Sequence, residues 1–265
     1  AAFGSSALLS DTTGRHTVAI GRNAFQAQNN TGSADMYNVA VGSSAGHSNT
    51  TGANNTFLGG KAGYANTDGH SNTAVGAEAG DSITTGDENT AVGHGSLDAA
   101  TTVNGNTAVG TDAMGGSLTG DYNTAVGYNA MLVATSVTGT TAIGTQTLDA
   151  LTTGDNNTGV GSGALGATTS GHSNVAVGDQ ALAANTTASE NTAVGHGAAD
   201  VSTTGTSLVA VGTDALGANT TASYNTAVGY NAMLLNTTGA QNVAVGMQAL
   251  DANDAGSQNT ALGNN

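Results

Sequence analysis

A short apolar segment that ends in glycine recurs along the whole chain. Its commonest form is Asn-Thr-Ala-Val-Gly, and its Thr-Ala-Val core alternates with the period of two that is typical of a β-strand. The glycines that end the sixteen copies are Gly4, Gly21, Gly42, Gly59, Gly76, Gly93, Gly110, Gly127, Gly144, Gly161, Gly178, Gly195, Gly212, Gly229, Gly246 and Gly263. Fourteen of the fifteen intervals are 17 residues long, and the interval from Gly21 to Gly42 is 21. The chain is therefore a repeat protein built from 17-residue units.

Each unit has a fixed pattern around its glycine. The preceding residue is Val, Ile, Leu or Phe in all sixteen copies, and the residue before that is alanine in fourteen, with Phe57 and Gly159 as exceptions. Leu, Met or Phe usually stands four residues after the glycine, and a Thr-Thr pair usually stands eight and nine residues after it. Because Gly, Asn and Thr interrupt any 3.6-residue apolar stripe, helices are not expected.

The predicted fold class is all-β, a parallel β-solenoid of about 15 rungs of 17 residues. Equivalent positions of successive rungs should stack as strands about 4.8 Å apart. We expect one repetitive domain over residues 1–265, with a four-residue insertion between Gly21 and Gly42, within residues 26–37. The chain begins inside one motif and ends two residues after another, which predicts a fragment of a longer chain or a subunit that stacks end to end.

A longer period lies above the 17-residue one. The run YNTAVGYNAML occurs at 122–132 and again at 224–234, which is 102 residues or six rungs further on. His94 and His196, each in NTAVGHG, keep the same offset. Duplication of a six-rung block explains this pattern most simply.

The alternation within a strand suggests which side chains face inward. In Thr17-Val18-Ala19-Ile20-Gly21 the large apolar groups are Val18 and Ile20, so we expect these inside and Ala19 outside. A column of outward alanines would suit close approach of another chain, most simply in a homotrimer; the alternative is that alanine fills a cramped core. The predicted oligomer interface is Ala74, Ala91, Ala108, Ala125, Ala142, Ala176, Ala193, Ala210, Ala227 and Ala244.

A column of asparagines stands four residues before most of the glycines. Stacked amides can hydrogen-bond from rung to rung at a turn where backbone groups would otherwise lack partners. The predicted structural ladder is Asn72, Asn89, Asn106, Asn123, Asn157, Asn174, Asn191, Asn225 and Asn242.

Charge and composition exclude several classes of function. The net charge is −15, and the three strong cations all lie within residues 15–61, so nucleic-acid binding and attraction to an anionic membrane are not expected. There is no cysteine and no apolar run long enough to span a membrane. The first residues of the sequence do not have the pattern of a signal peptide. The 41 glycines and few aromatics would suggest disorder if the chain had no period.

Candidates for chemistry are few. His94 and His196 are six rungs apart, and no zinc-binding pattern or GxSxG motif occurs, so we expect no enzyme, no catalytic residue and no metal or cofactor site. Calcium at stacked carboxylates such as Asp87-Glu88, Asp121 and Asp155 is the alternative, although the nonapeptide calcium-binding repeat is missing.

Two further surface hypotheses come from departures within the repeat. The Thr-Thr column could bind ice, but strand alternation predicts only one outward file of threonine. The rungs after the insertion have glycine where others have leucine, at Gly46, Gly63 and Gly80. We expect this end to be thinner, and it is a candidate junction or weak receptor contact, with drift in a shaft as the alternative.

The motifs resemble those of two related families. HTVAIG at 16–21 and SNTAVG at 71–76 resemble the head repeats of trimeric autotransporter adhesins, which implies a left-handed parallel β-roll with three chains to a head. The unit NTAVGYNAMLLNTTGAQ at 225–241 is similar to repeats in phage tail fibres and in bacterial surface proteins that carry a C-terminal self-cleaving chaperone. The resemblance covers essentially the whole chain.

The resemblance implies an extracellular structural role rather than a chemical one. We expect a non-enzymatic fibre segment on a virion tail or bacterial cell surface, either a tail-fibre shaft or an adhesin head. Such a segment would associate with copies of itself and contact a host-surface glycan or protein receptor. Ice binding and a self-stacking extracellular filament are the alternatives.

Overall fold

The computed structural model describes residues 1–29 and 35–265, and every regular element in these ranges is a β-strand. It divides into two units, Ala1–Val137 and Thr138–Asn265. Each unit is a parallel β-solenoid in which one strand of two or three residues recurs about every 17 residues, which confirms the predicted fold class. The four-residue insertion falls at least partly on residues 30–34, which lie outside the described ranges.

The described residues of the first unit contain eight strands, and consecutive strands pair in parallel. They are β1 Ala2–Phe3, β2 Val18–Ile20, β3 Val39–Val41, β4 Thr56–Leu58, β5 Thr73–Val75, β6 Thr90–Val92, β7 Thr107–Val109 and β8 Thr124–Val126. Identical motif positions are register partners, as in Ala91 with Ala108 between β6 and β7. The strands stack by sequence position, so the 17-residue period sets the register.

The second unit has the same organisation. Its strands are β9 Thr141–Ile143, β10 Thr158–Val160, β11 Val175–Val177, β12 Thr192–Val194, β13 Val209–Val211, β14 Thr226–Val228, β15 Val243–Val245 and β16 Thr260–Leu262. Ala193 of β12 pairs with Ala176 of β11 on one side and with Ala210 of β13 on the other.

The segment after each glycine is a turn with an unusual backbone. Its second and fourth residues are left-handed, as in Asp112 (φ 54°) and Met114 (φ 53°) after Gly110. The amides of these two left-handed residues point to opposite neighbours. The N–H of Asp112 donates to the carbonyl of His94 in the preceding turn (3.0 Å), and the N–H of Met114 donates to that of Ala130 in the following turn (3.0 Å). Bonds between turns therefore compensate for a conformation that is uncommon outside glycine.

The motif glycine is required by close approach of neighbouring turns. Gly161, for example, has φ +130°, and a Cβ there would lie 2.3 Å from the carbonyl oxygen of Gly178. No side chain can occupy that distance, so glycine closes each strand.

The predicted orientation of the strand side chains is wrong. Ala19 is fully buried, whereas Ile20 is 42 % exposed. The alanines predicted as an oligomer interface are all 3 % exposed or less, namely Ala74, Ala91, Ala108, Ala125, Ala142, Ala176, Ala193, Ala210, Ala227 and Ala244. The interior is narrow, because the opposite wall brings in the alanine three residues after the glycine and the Leu or Met four residues after it. Opposite these side chains a methyl group fills the remaining space in most turns, so Val and Ile point outward.

At the end that was expected to be thinner, a phenylalanine in the alanine column helps to fill the interior. Phe57, which replaces one of the inward alanines, is 1 % exposed, and its ring packs against Phe25 (centroids 5.9 Å apart). A Cβ on Gly46 would lie 2.3 Å from the Phe25 ring, and one on Gly63 would lie 2.5 Å from the Phe57 ring. The glycines therefore make room for two phenyl rings, which occupy the space that leucines fill in other turns.

The second exception in the alanine column is compensated in the same way. Gly159 faces Thr147, which is buried and replaces the usual alanine three residues after its glycine. A Cβ on Gly159 would lie 2.7 Å from the Thr147 methyl group. Interior volume is thus kept constant by paired changes.

Candidate functional surfaces

The predicted asparagine ladder forms the polar seam of the interior. Its nine members are 3 % exposed or less. The Oδ1 atom of Asn72 accepts hydrogen bonds from the backbone N–H (2.9 Å) and the side-chain Nδ2 (3.1 Å) of Asn89, one turn on. Nδ2 of Asn89 also donates to the carbonyl of Val103 (2.7 Å). Each amide therefore satisfies backbone groups of two turns, which is a structural role.

A second asparagine ladder, which the sequence analysis missed, lies seven residues after the glycine. Asn66 donates from Nδ2 to Oδ1 of Asn49 (2.7 Å), and in the second unit Asn236 donates to Asn219 (3.2 Å). The ladder stops where another residue intervenes, such as Ser202 in the turn after Asn185. The Oδ1 atoms of Asn66 and Asn185 are then buried without a hydrogen-bond partner in the described part of the chain. The signal was present as a recurring Asn at that offset.

The outer face of the sheet is uncharged and combines a file of aliphatic side chains with a file of threonine and valine. In both units, Thr or Val stands three residues before the motif glycine and Val, Ile or Leu directly before it in every turn after the first, and these side chains point outward. Val177, Val194 and Val245 are each 37–38 % exposed. No residue in either of these two files, which we call the sheet face, carries a charge.

Both threonines of the Thr-Thr pair reach the surface, which corrects the expected single file. The pair lies in a bend rather than a strand, so side chains do not alternate there. Thr186 is half-buried and Thr187 exposed, and the hydroxyl of Thr186 donates to the carbonyl of Thr203 (3.2 Å). Hydroxyl pairs occupy six consecutive turns of the second unit: Thr152-Thr153, Thr169-Ser170, Thr186-Thr187, Thr203-Thr204, Thr220-Thr221 and Thr237-Thr238.

The carboxylates considered for calcium bind backbone amides. Oδ1 of Asp87 accepts from the N–H of His70 (2.7 Å), that of Asp121 from Asn104 (2.7 Å) and that of Asp155 from Thr138 (2.8 Å). Each therefore tethers a turn to its predecessor. The described residues contain no group of three or more His, Cys, Asp or Glu side chains that could hold a metal ion.

Three aspartates five residues after their glycines are partly buried. Burial raises the pKa of Asp98, Asp149 and Asp200 above the ordinary value of 3.8. At Asp98, repulsion from Asp81 adds to this effect. Asp68 behaves oppositely, because hydrogen bonds from Thr51 and Thr50 lower its pKa.

Two surface patches of the same composition lie in the duplicated block, one in each unit. The first patch is His94, Gly95, Thr111, Asp112, Tyr128 and Asn129, and the second patch is His196, Gly197, Thr213, Asp214, Tyr230 and Asn231. In each, three consecutive turns contribute the two residues that follow the glycine. Successive side chains of one file are therefore about 4.8 Å apart.

The two patches share the contact between histidine and aspartate, but Nε2 of His196 also lies 3.7 Å from Oδ2 of Asp179, where the first copy has Ala77. The imidazole Nδ1 lies 3.9 Å from a carboxylate oxygen in both His94–Asp112 and His196–Asp214, and each histidine side chain is 62 % exposed. Tyr128 and Tyr230 are each 53 % exposed.

The cationic end of the first unit has a shallow groove. Lys61 pairs with Glu78 (Nζ to Oε1, 2.9 Å), and Arg22 lines the same groove. His47 stacks on Tyr64, with ring centroids 4.9 Å apart. The receptor contact expected here stays a prediction, because the insertion falls at least partly on residues 30–34, outside the described ranges.

Scans against protein-family models, curated proteins and solved structures found no match to this chain. The resemblance to fibre and adhesin repeats therefore still depends on the motifs alone. Within the described ranges there is no helix with the length and apolar character needed to cross a bilayer.

Proposed function

We propose that this chain is a non-enzymatic structural segment of an extracellular fibre, either the shaft of a phage tail fibre or the head of a bacterial surface adhesin. The observation that supports this role most is the large number of hydrogen bonds that backbone and side-chain groups form between turns. Strand amides, asparagine side chains and the Asp87-type carboxylates all bond to the next or preceding turn. A pull along the stack loads many such bonds in every turn.

The proposal includes association with further copies of the chain through the sheet face, in a three-fold arrangement. The chain carries a net charge of −15, so copies repel each other over most of their surface. The sheet face is free of charge and presents Val or Ile in nearly every turn. Contact through it buries apolar groups without bringing carboxylates together. This interface replaces the buried alanine column.

Electron microscopy and light scattering on the purified chain test this function. We expect elongated particles and a mass of three chains. A single-chain mass at all concentrations, together with particles that are not elongated, would contradict the proposal.

Ice binding is a second candidate, because both hydroxyl residues of each pair reach the surface, the first half-buried in most turns and the second exposed. The second unit thereby presents two adjacent files of hydroxyl groups over six turns, spaced about 4.8 Å apart, with methyl groups at every position except Ser170. Such regular files can order water into a lattice. Thermal hysteresis should then be measurable and should be lost in Thr204→Lys but kept in the control Thr226→Lys on the sheet face. Absence of hysteresis in the wild type would remove this candidate.

A further inference from the structure

The duplicated block contains an internal comparison between two copies of the same turns. In one stretch of bend the copies have drifted, because Val103-Asn104-Gly105 corresponds to Gly205-Thr206-Ser207. In the two patches, however, all six residues are identical. Other bend positions are retained as well, since Thr101-Thr102 and Tyr122 recur as Thr203-Thr204 and Tyr224.

The fold does not require the three retained residues that directly follow a glycine, whereas Gly95, Asp112 and Asn129 suit the left-handed backbone of the next position. At the position of His94 and Tyr128, directly after the glycine, other turns have Arg22, Ala77 or Met247. These side chains point into solvent, and no interior contact distinguishes them. Retention of His, Thr and Tyr in both copies therefore indicates a shared role in binding.

The amides of the patches give a second sign. The Oδ1 atoms of Asn129 and Asn231 are buried, and within the described ranges they have no hydrogen-bond partner. Such an atom destabilises a folded chain. Gln146 and Gln180 occupy the same turn position without this defect, yet both copies keep the asparagine.

The glycine of each patch leaves the carboxylate accessible. A Cβ on Gly95 would lie 2.6 Å from Oδ1 of Asp112, and one on Gly197 would lie 2.5 Å from Oδ1 of Asp214. A Cβ there would crowd the oxygen that lies beside the exposed imidazole, and the left-handed backbone (φ 59° at Gly95 and 62° at Gly197) also favours glycine.

We infer that each patch binds an uncharged saccharide. The exposed tyrosine ring offers a face for the C–H groups of a sugar, and the carboxylate, imidazole and threonine hydroxyl offer acceptors and donors for sugar hydroxyls. From His94 to Tyr128 the file extends over two turns, about 10 Å, which suits a short oligosaccharide. Anionic sugars are disfavoured by Asp112 and by the net charge of −15. This inference rests on the proposed function, because a surface fibre supplies the setting for a glycan partner.

The test is a printed panel of neutral, sialylated and sulfated oligosaccharides, probed with the labelled full chain. We expect neutral oligosaccharides to be retained. Tyr128→Ala and Tyr230→Ala should each weaken binding roughly two- to tenfold, and the double variant should abolish it. The matched control is Tyr122→Ala with Tyr224→Ala, which removes two tyrosines of comparable exposure that lie outside the patches. The control should bind as the wild type does.

Three results would overturn the inference. They are no retention of any neutral oligosaccharide, a preference for the anionic ones, or equal loss in the double variant and in the control. Particle shape and mass, measured on the same samples, distinguish this failure from failure of the fibre role. Elongated trimers that retain no sugar would contradict only the saccharide inference.

Discussion

Two adjacent residues of β12 provide the sharpest test of the fold. Ala193 is fully buried between Ala176 and Ala210, whereas its neighbour Val194 is 37 % exposed. In Ala193→Arg the guanidinium would enter a narrow interior with no partner, at an effective cost of several kcal/mol for an unpaired buried ion. Overpacking adds about 1–3 kcal/mol. The sum reaches roughly 5 kcal/mol, the lower end of the stability of a typical domain.

Val194→Arg places the same side chain in solvent. An exposed substitution usually changes stability by about 0.5 kcal/mol or less. We therefore expect Ala193→Arg to lose its β-sheet circular dichroism, or to melt far below the wild type. Val194→Arg should keep its β-sheet circular dichroism but fail to form the proposed trimer, because its charge lies on the sheet face, and it should melt well above Ala193→Arg.

Circular dichroism melts and light scattering on the two variants decide the matter. If Ala193→Arg melts as the wild type does and changes only the oligomeric mass, the alanine column faces outward and the packing described above is wrong. If Val194→Arg remains a trimer, the sheet face is not the interface between copies.

Three further predictions follow from individual turns. Ser202→Asn should raise the free energy of unfolding by about 1 kcal/mol, because it would donate to the partnerless Oδ1 of Asn185; an unchanged denaturant midpoint would contradict this. Gly161→Ala should lower the free energy of unfolding by about 3 kcal/mol or more, since its Cβ would lie 2.3 Å from a carbonyl oxygen. Gly163→Ala, with no atom closer than 3.9 Å, should lower it by about 1 kcal/mol. Equal losses of stability in urea titrations would refute the close approach at Gly161. Burial raises the pKa of Asp149, so the stability that this carboxyl contributes is full below pH 3.8 and is lost as the pH rises through the raised pKa. Asp149→Asn should therefore melt above the wild type at pH 7 and lose that advantage below pH 3.8, and a constant difference across the melts would contradict the assignment.

Much of the architecture could be read from the sequence. The 17-residue interval places equivalent residues one above another, so it predicts the strands, their parallel pairing and their register. The asparagine column, read as a ladder of amides, corresponds to the observed bonds between Asn72 and Asn89.

The inward face was predicted wrongly because a three-residue strand can turn either of its two faces to the interior. Either the central alanine or the two flanking residues can point inward, and hydrophobicity alone favours Val and Ile. A signal for the correct phase was present in the exceptions. Phe57 coincides with Gly46 and Gly63, and Gly159 with Thr147, as expected if the alanine column shares one interior with those positions.

The sequence by itself determined the periodic architecture, since backbone pairing between identical units depends only on their spacing along the chain. Only the tertiary structure decided which side chains are buried and which surfaces are offered to partners. That choice depends on the volume enclosed by opposite walls of one turn, and the walls meet only when the chain is folded. The exposed Thr-Thr bends were decided in the same way, because the fold places them outside any strand.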